Sequence, residues 1–335
     1  MRMIESSLFH PVALVDDLGA APLAVQLLGR DLVLWRDARG GVHAATDRCP
    51  HRGAALSMGR VHGDTLECAY HGWRFDGSGR CVAVPAVPDF VPPPGHRAWS
   101  HSVRIAFGLV WVALDADVPP DAPDRMPGFA AEADARLRKL NCGPYDVATS
   151  APRIVENFLD MSHFGFVHEG VLGERAFTAM AAHGIERTER GFRAVGCRAW
   201  QPQASLQASG GTMVDYTYEV DAPYACVLTK LPDPADVAVA DFHESIALFV
   251  CPLAPERSRV WFRLAVNDVA SSDATLRAFQ DMIFLQDQPV LESQRPRALP
   301  ISTGAPVTEL HSAADRSSAA YRRYLIERGI TFGVC

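Results

Sequence analysis

No run of about eighteen uninterrupted apolar residues occurs in this 335-residue chain, so no helix is expected to span a bilayer. The stretch Met1 to Leu18 has acids at Glu5, Asp16 and Asp17 and lacks the apolar core of a signal peptide, and a cytoplasmic location is expected. There is no dense Lys/Arg run, and the formal net charge is −7, which argues against nucleic acid as a partner. There is no repeat and no low-complexity segment. A paired-cysteine framework is also missing. Of the eight cysteines, Cys81, Cys142, Cys197, Cys226, Cys251 and Cys335 are scattered and read as small core or surface thiols in a reducing compartment. With 48% hydrophobic and 21% charged residues, the chain has an ordinary globular composition and is long enough for two domains.

Cys49 and Cys68 differ from the other six. Cys49-Pro50-His51 is separated by sixteen residues from Cys68-Ala69-Tyr70-His71, so each of two short loops offers one thiolate and one imidazole. Such donors suit zinc or an iron–sulfur cluster. Structural zinc sites usually place Cys with Cys and His with His, whereas mixed loops suit a cluster in which two Cys hold one iron and two His the other. The stretch, extended by Gly72-Trp73, resembles a Rieske [2Fe–2S] motif, C-x-H…C-x-x-H. Zinc is the alternative.

Residues 8–114 read as a small all-β domain. Short apolar runs at Leu23–Leu28, Leu32–Trp35, Val42–Thr46, Thr65–Cys68 and Cys81–Val84 are punctuated by glycine turns, and a last strand covers Ser102–Leu114. Both donor loops are expected at hairpin tips, with Pro85 and Pro88 as a cover, while His10, His43, His62, His96 and His101 take surface or core roles. Residues 115–128, with four prolines and four aspartates, form a linker. In residues 129–335, strands are expected at Tyr145–Thr149, Phe192–Trp200, Val214–Val220, Tyr224–Leu231, Phe242–Cys251 and Arg259–Val266. With two helical patterns between and after them, this is an α+β domain on an antiparallel sheet.

The first helical pattern contains Asn157, Asp160 and His163, spaced by three and so on one helix side, followed by His168. Five residues apart, His163 and His168 lie about 140° around an ideal helix. They reach one metal only if the helix bends or ends between them, for which Gly165 is suitably placed. The second pattern, Thr275–Leu291, has Leu276, Phe279, Ile283 and Val290 along a stripe with Asp287 in its midst, a carboxylate that must be paired or metal-bound. Pro289 is expected to kink the helix beside it, and Asp281 and Glu292 are expected on the solvated side. Two His and one Asp make the facial triad of non-haem Fe(II) oxygenases.

Nearly full length, the chain resembles the catalytic α subunit of a Rieske non-haem iron oxygenase. The run Asn157-x-x-Asp160-x-x-His163-x4-His168 matches the family's iron-site helix. His10–Val12, Pro22–Val25 and Asp287–Gln294 look most like vanillate O-demethylase and methylxanthine N-demethylase oxygenases. Arg52-Gly53-Ala54 and Ala69-Tyr70 lack the extra loop thiols of respiratory Rieske proteins, as in the oxygenase branch, whose potentials lie low in the roughly −150 to +300 mV range. The resemblance implies a helix-grip catalytic domain, a head-to-tail homotrimer, and Asp160 bridging His163 to His71 of a neighbouring chain. It also implies a [2Fe–2S] cluster on Cys49, His51, Cys68 and His71, Fe(II) on His163, His168 and Asp287, and NAD(P)H used through a separate reductase, with or without a ferredoxin. The reaction expected is O2-dependent hydroxylation, dihydroxylation or demethylation of a small ring-containing substrate. Phe249, Trp261, Phe279 and Phe284 are candidates to face that ring, and Asp241, His243 and Glu244 to offer polar contacts. The alternatives are an electron carrier without the second iron and a zinc-stabilised binding module.

Overall fold

The computed structural model describes residues 3–203, 210–232, 243–302, 304–305 and 307–335. The chain divides into two compact units, Met1–Met126 and Pro127–Cys335. The division falls inside the Pro/Asp-rich stretch, where the composition offers little to build a core.

The first unit is all-β. In chain order its strands are β1 (His10–Leu14), β2 (Leu23–Leu27), β3 (Arg30–Arg36), β4 (Val42–Thr46), β5 (Arg60–His62), β6 (Thr65–Glu67), β7 (Arg74–Phe75), β8 (Cys81–Ala83), β9 (Ser100–Ala106) and β10 (Leu109–Ala113). They form a six-stranded sheet, β1-β10-β9-β4-β3-β2, and a four-stranded sheet, β5-β6-β7-β8. Val33, Trp35, Ala45, Leu56, Leu66 and Phe75 pack into one buried cluster that also takes in Cys49, Cys68 and Cys81. The single strand expected over Ser102–Leu114 is instead a hairpin, β9–β10, because Phe107 and Gly108 both adopt positive φ. Gly59 has to be glycine: a Cβ there would lie 1.9 Å from the Glu67 carbonyl oxygen.

His10 is buried in this unit, its Nε2 2.8 Å from the Glu5 carbonyl oxygen. Burial pushes its pKa down to about 4, although the Glu5 carbonyl and carboxylate oppose the shift. A folded pKa below the unfolded one means that stability is fully present above about pH 6.5 and is lost as pH falls toward 4, by roughly 3 kcal/mol for a shift of this size. His10→Gln, which retains an N–H at a similar reach without titrating, is expected to flatten this loss. The check is the urea midpoint for bleaching of the visible absorption, compared at pH 7 and pH 5.

The second unit is α+β. Its elements are β11 (Arg138–Val147), α1 (Ala151–Leu159), α2 (Phe164–Val167), β12 (Gly184–Arg187), β13 (Phe192–Gln201), β14 (Thr212–Ala222), β15 (Ala225–Pro232), β16 (Glu244–Ala254), β17 (Arg257–Val266), α3 (Asp273–Ser293) and α4 (Arg316–Arg328). The strands make one antiparallel seven-stranded sheet, β11-β17-β16-β15-β14-β13-β12. Period-two alternation turns Tyr216, Tyr218, Leu228, Leu248, Phe262 and Leu264 toward the helices, where they join the main core with Ile154, Phe164, Phe284 and Leu291. The Ser272 hydroxyl caps α3 by accepting from the Thr275 N–H, with Asp273 favourable in the first turn. Helix α1 is clamped by ion pairs: Arg153 to Glu309 at 2.6 Å, and Arg322 to Glu156 at 2.6 Å.

Candidate metal centres and the pocket between helices and sheet

The two Cys/His loops reach the same backbone geometry by different routes. Residues 47–59 carry the chain from β4 in the larger sheet to β5 in the smaller one, so the first loop is a crossover rather than the hairpin tip expected. Residues 68–73 join β6 to β7 and do form a hairpin tip. In the first loop Cys49 N–H donates to Ala54 O (2.7 Å) and Gly53 N–H to Cys49 O (2.8 Å). In the second Cys68 N–H donates to Trp73 O (2.8 Å) and Gly72 N–H to Cys68 O (3.0 Å). Gly53 and Gly72 close these turns at φ +75° and +70°, where side chains are strained. Pro85 approaches Gly72, while Pro88 is exposed.

The loops bring the His51 and His71 rings to 4.6 Å between centroids. Trp73 stacks on His51 at 4.5 Å and 6°, and His96 also stacks on Trp73, at 5.6 Å and 9°. Both thiols are buried. Burial pushes the Cys49 thiol up to about 11, and the Cys68 thiol in contact with it adds to the shift. Burial, with His71 and Arg52 nearby, lowers the His51 pKa. Among the described residues His51 Nδ1 is buried without a hydrogen-bond partner, a state costing about 1–3 kcal/mol unless the lone pair is used. Two buried sulfurs and an orphaned imidazole nitrogen are a donor set that fits a thiolate- and imidazole-held cluster.

The second set is assembled by an interruption of the helix. Helix α1 stops at Leu159, and Asp160 is extended (φ −90°, ψ 124°), so Asn157, Asp160 and His163 do not share one continuous helix. The interruption lies at residues 160–163, not at Gly165, which sits inside α2 with Glu174 O 2.9 Å from where its Cβ would be. The redirection brings His163 Nε2 to 3.2 Å from His168 Nε2, with Asp287 Oδ1 of α3 at 3.4 Å and 3.2 Å from the two nitrogens. Donors about 2.1 Å from one ion at right angles lie about 3.0 Å apart, so this triangle fits one face of an octahedral divalent ion. Burial disfavours a charged His168, yet the Asp287 carboxylate and the Gln286 hydrogen bond together raise its pKa.

The outer nitrogens are engaged as well. His163 Nδ1 is 3.3 Å from Asp160 Oδ2, and His168 Nδ1 is 2.8 Å from Gln286 Oε1. Asn157 Nδ2 donates to Asp287 Oδ1 at 3.5 Å. Sequence reasoning missed Gln286, whose partner His168 is 118 residues away in the chain. Such outer partners fix the imidazole tautomer and typically contribute 10–100-fold to metal affinity. Gln286→Leu is therefore expected to weaken binding of the mononuclear ion by about that factor, as measured by competition with a chelator, with the cluster spectrum unchanged.

The buried stripe of α3 is Leu276, Gln280, Phe284, Asp287 and Leu291. Val290, expected on it, is exposed. The helix continues through Pro289 to Ser293. Asp281 and Glu292 are not simply solvated: Asp281 accepts from the Tyr145 hydroxyl, and Glu292 from Ala148 N–H at 3.0 Å, pinning α3 to β11 and the chain just after it.

A pocket opens from the triad between the helices and the inner face of the sheet. Phe158, Phe164, Tyr216, Tyr218, Phe262 and Phe284 give it aromatic walls, and Phe279 lines it too. Phe249 and Trp261 do not. Adjacent in register and fully buried, they occupy the other face of the sheet, because one residue along a strand reverses the side-chain direction. Of the polar candidates, Glu244 lines the pocket, His243 does not, and Asp241 lies outside the described residues. Lys230, missed in the sequence, lines it as well. It stands two residues beyond Leu228 on the same strand face, and that parity was the available signal.

Among the described residues no helix is long and apolar enough to cross a membrane. The family model for the Rieske [2Fe-2S] domain matches residues 9–95, and that for the Vanillate O-demethylase oxygenase C-terminal domain matches residues 147–328. Methylxanthine N1-demethylase NdmA of Pseudomonas putida is 33% identical over 325 residues, covering 95% of this chain and 88% of that protein. Probable methylxanthine N7-demethylase NdmC of Pseudomonas sp. (strain TJI-51) is 40% identical over 229 residues, 68% of this chain and 77% of that protein. The solved structure of P. putida CBB5 NdmA with caffeine superposes with a TM-score of 0.82 at 30% identity, covering 96% of this chain and 90% of that one.

Proposed function

Because the chain belongs to the Rieske oxygenases with a vanillate O-demethylase-type catalytic domain, we propose that it oxidatively removes a methyl group from a small nitrogen heterocycle. The observation that carries this reading is the His163–His168–Asp287 triangle opening onto a pocket with aromatic walls. Cys49, His51, Cys68 and His71 hold a [2Fe–2S] cluster in this reading, and His163, His168 and Asp287 hold Fe(II). When bound, the two centres supply electron storage and dioxygen reduction. Electrons come from NAD(P)H through a separate reductase, and the chain works as a cytoplasmic homotrimer in which Asp160 links His163 to His71 of a neighbouring copy.

The protein's own groups set the geometry. Asp160 and Gln286 accept the Nδ1 protons of the two imidazoles, which leaves both Nε2 lone pairs facing Asp287. Asn157 steadies the carboxylate by donating to the same oxygen, Asp287 Oδ1. Phe158, Phe164 and Phe284 exclude water and hold a flat ring edge-on to the triad, so that one methyl group is presented for C–H hydroxylation. One oxygen atom enters that C–H bond, the other leaves as water, and the resulting N–CH2OH group expels formaldehyde.

The test is anaerobic purification followed by turnover with a surrogate reductase, NADH and a panel of N-methylated, O-methylated and unmethylated rings. About three irons per chain are expected, with formaldehyde and demethylated ring in equal amounts. Two irons and no turnover would point to an electron carrier, zinc without acid-labile sulfide to a binding module, and ring hydroxylation without formaldehyde to a different oxygenation.

A further inference from the structure

One polar row interrupts the apolar wall of the pocket. Tyr216 on β14 lies in register with Lys230 on β15, which lies in register with Glu244 on β16, all three on the inner face of the sheet. Lys230 is 5% exposed. Its Nζ is 3.7 Å from Glu244 Oε2, beyond hydrogen-bond length. In the next row, the Tyr218 hydroxyl is buried with no partner among the described residues. Burial lowers the Lys230 pKa, and Glu244 only partly opposes it. A buried lysine is costly unless its N–H groups are used, and among the described residues none of them makes a close hydrogen bond.

We propose that Lys230 and Glu244 together read the polar edge of the substrate, selecting a neutral ring in which a carbonyl stands beside a free N–H, as in a lactam or imide. The ammonium donates to the carbonyl and the Glu244 carboxylate accepts from the adjacent N–H, so a ligand completes a pair that the fold leaves open. This inference rests on the reading of the pocket as the substrate site and names the substrate's recognised edge. Charge argues against a carboxylate-bearing ring. Among the described residues, Glu244, Asp268 and Asp287 line the pocket with Lys230 as the lone Lys or Arg, which leaves no surplus positive charge even with a divalent ion at the triad. A ring methylated on that nitrogen presents no proton to Glu244 and puts a methyl against a buried carboxylate. Sites built to hydrogen-bond a polar group discriminate strongly against analogues that lack it.

The test is calorimetric binding to the oxidised holoprotein of theobromine, caffeine and 4-methoxybenzoate. The first two differ by one methyl on an imide nitrogen. Theobromine is expected to bind at least about tenfold more tightly than caffeine, and 4-methoxybenzoate to bind most weakly. Lys230→Met and Glu244→Gln should each erase the preference. Because removing one partner can leave the other charge buried alone, Lys230→Met/Glu244→Leu is included as a well-packed apolar replacement. It should keep the cluster spectrum and bind caffeine at least as well as theobromine. Equal affinities in the unmodified protein, no detectable binding of theobromine, a preference surviving in the double variant, or tightest binding of 4-methoxybenzoate would overturn the proposal. Formaldehyde release in parallel separates the two ideas. A binding preference without formaldehyde would sink the proposed reaction and leave the pair's role standing, and formaldehyde from both xanthines at equal affinity would do the reverse.

Discussion

Asp287→Ala is expected to abolish oxygenation, to below about one per cent of the unmodified protein, while leaving the cluster's visible absorption in place. Loss of an outer partner alone usually costs 10–100-fold, so loss of one of three donors should cost more. Asp287 is 8% exposed, and its carboxylate stands 3.2–3.4 Å from two imidazole nitrogens. Alanine leaves those nitrogens facing an apolar gap with nothing to balance a cation. Iron should fall from about three to about two per chain. The cluster should survive because its four proposed donors all belong to the other compact unit. Unchanged turnover, or iron still near three, would remove Asp287 from the ligand set.

Asp160→Asn should separate electron delivery from metal binding. Burial by itself would raise the Asp160 pKa, but hydrogen bonds from His163 and Ser162 hold it below the usual carboxylate range, so a full negative charge is present at neutral pH. Asparagine is nearly isosteric, and its carbonyl oxygen can still accept from Ser162 N–H, 2.8 Å away from Asp160 Oδ1. The variant loses the charge next to His163 Nδ1 and the capacity to bridge to a neighbouring subunit. Both metal centres are expected to load and the cluster to remain reducible. The rate at which pre-reduced protein is reoxidised by O2 with substrate present should fall by roughly 10–100-fold. A trimer, if formed, should persist, because a ring of heterologous contacts draws on many residues. Single-turnover spectroscopy at equal iron content is the measurement, and wild-type rates would make Asp160 a dispensable acid of the turn.

The residue types and spacing of both proposed donor sets were readable from local sequence. Cys49, His51, Cys68 and His71 lie within two short loops, and His163 and His168 five residues apart, so ligand type and spacing are local properties that need no partner. The strands were legible for the same reason: alternation in β14 to β17 is a period-two signal carried by consecutive residues. Asp287 was legible because a carboxylate on an apolar helix stripe conflicts with its surroundings wherever the helix docks.

Other features of the site depend on contacts between distant residues. The break after Leu159 rather than at Gly165 is stabilised by the Asp160 carboxylate turning back to Ser162, and Gly165 is needed for the close approach of Glu174. Gln286 meets His168 across 118 residues, and Asp281 meets Tyr145 across 136, so no local window reveals either pairing. The pocket face was set by register. Moving one position along β16 or β17 exchanges Leu248 and Phe262, which face the triad, for Phe249 and Trp261, which do not. The same parity, fixed by strand pairing across the whole sheet, turned Lys230 inward beside Glu244, because a one-residue slip reverses every side chain on a strand and only the assembled sheet selects the direction.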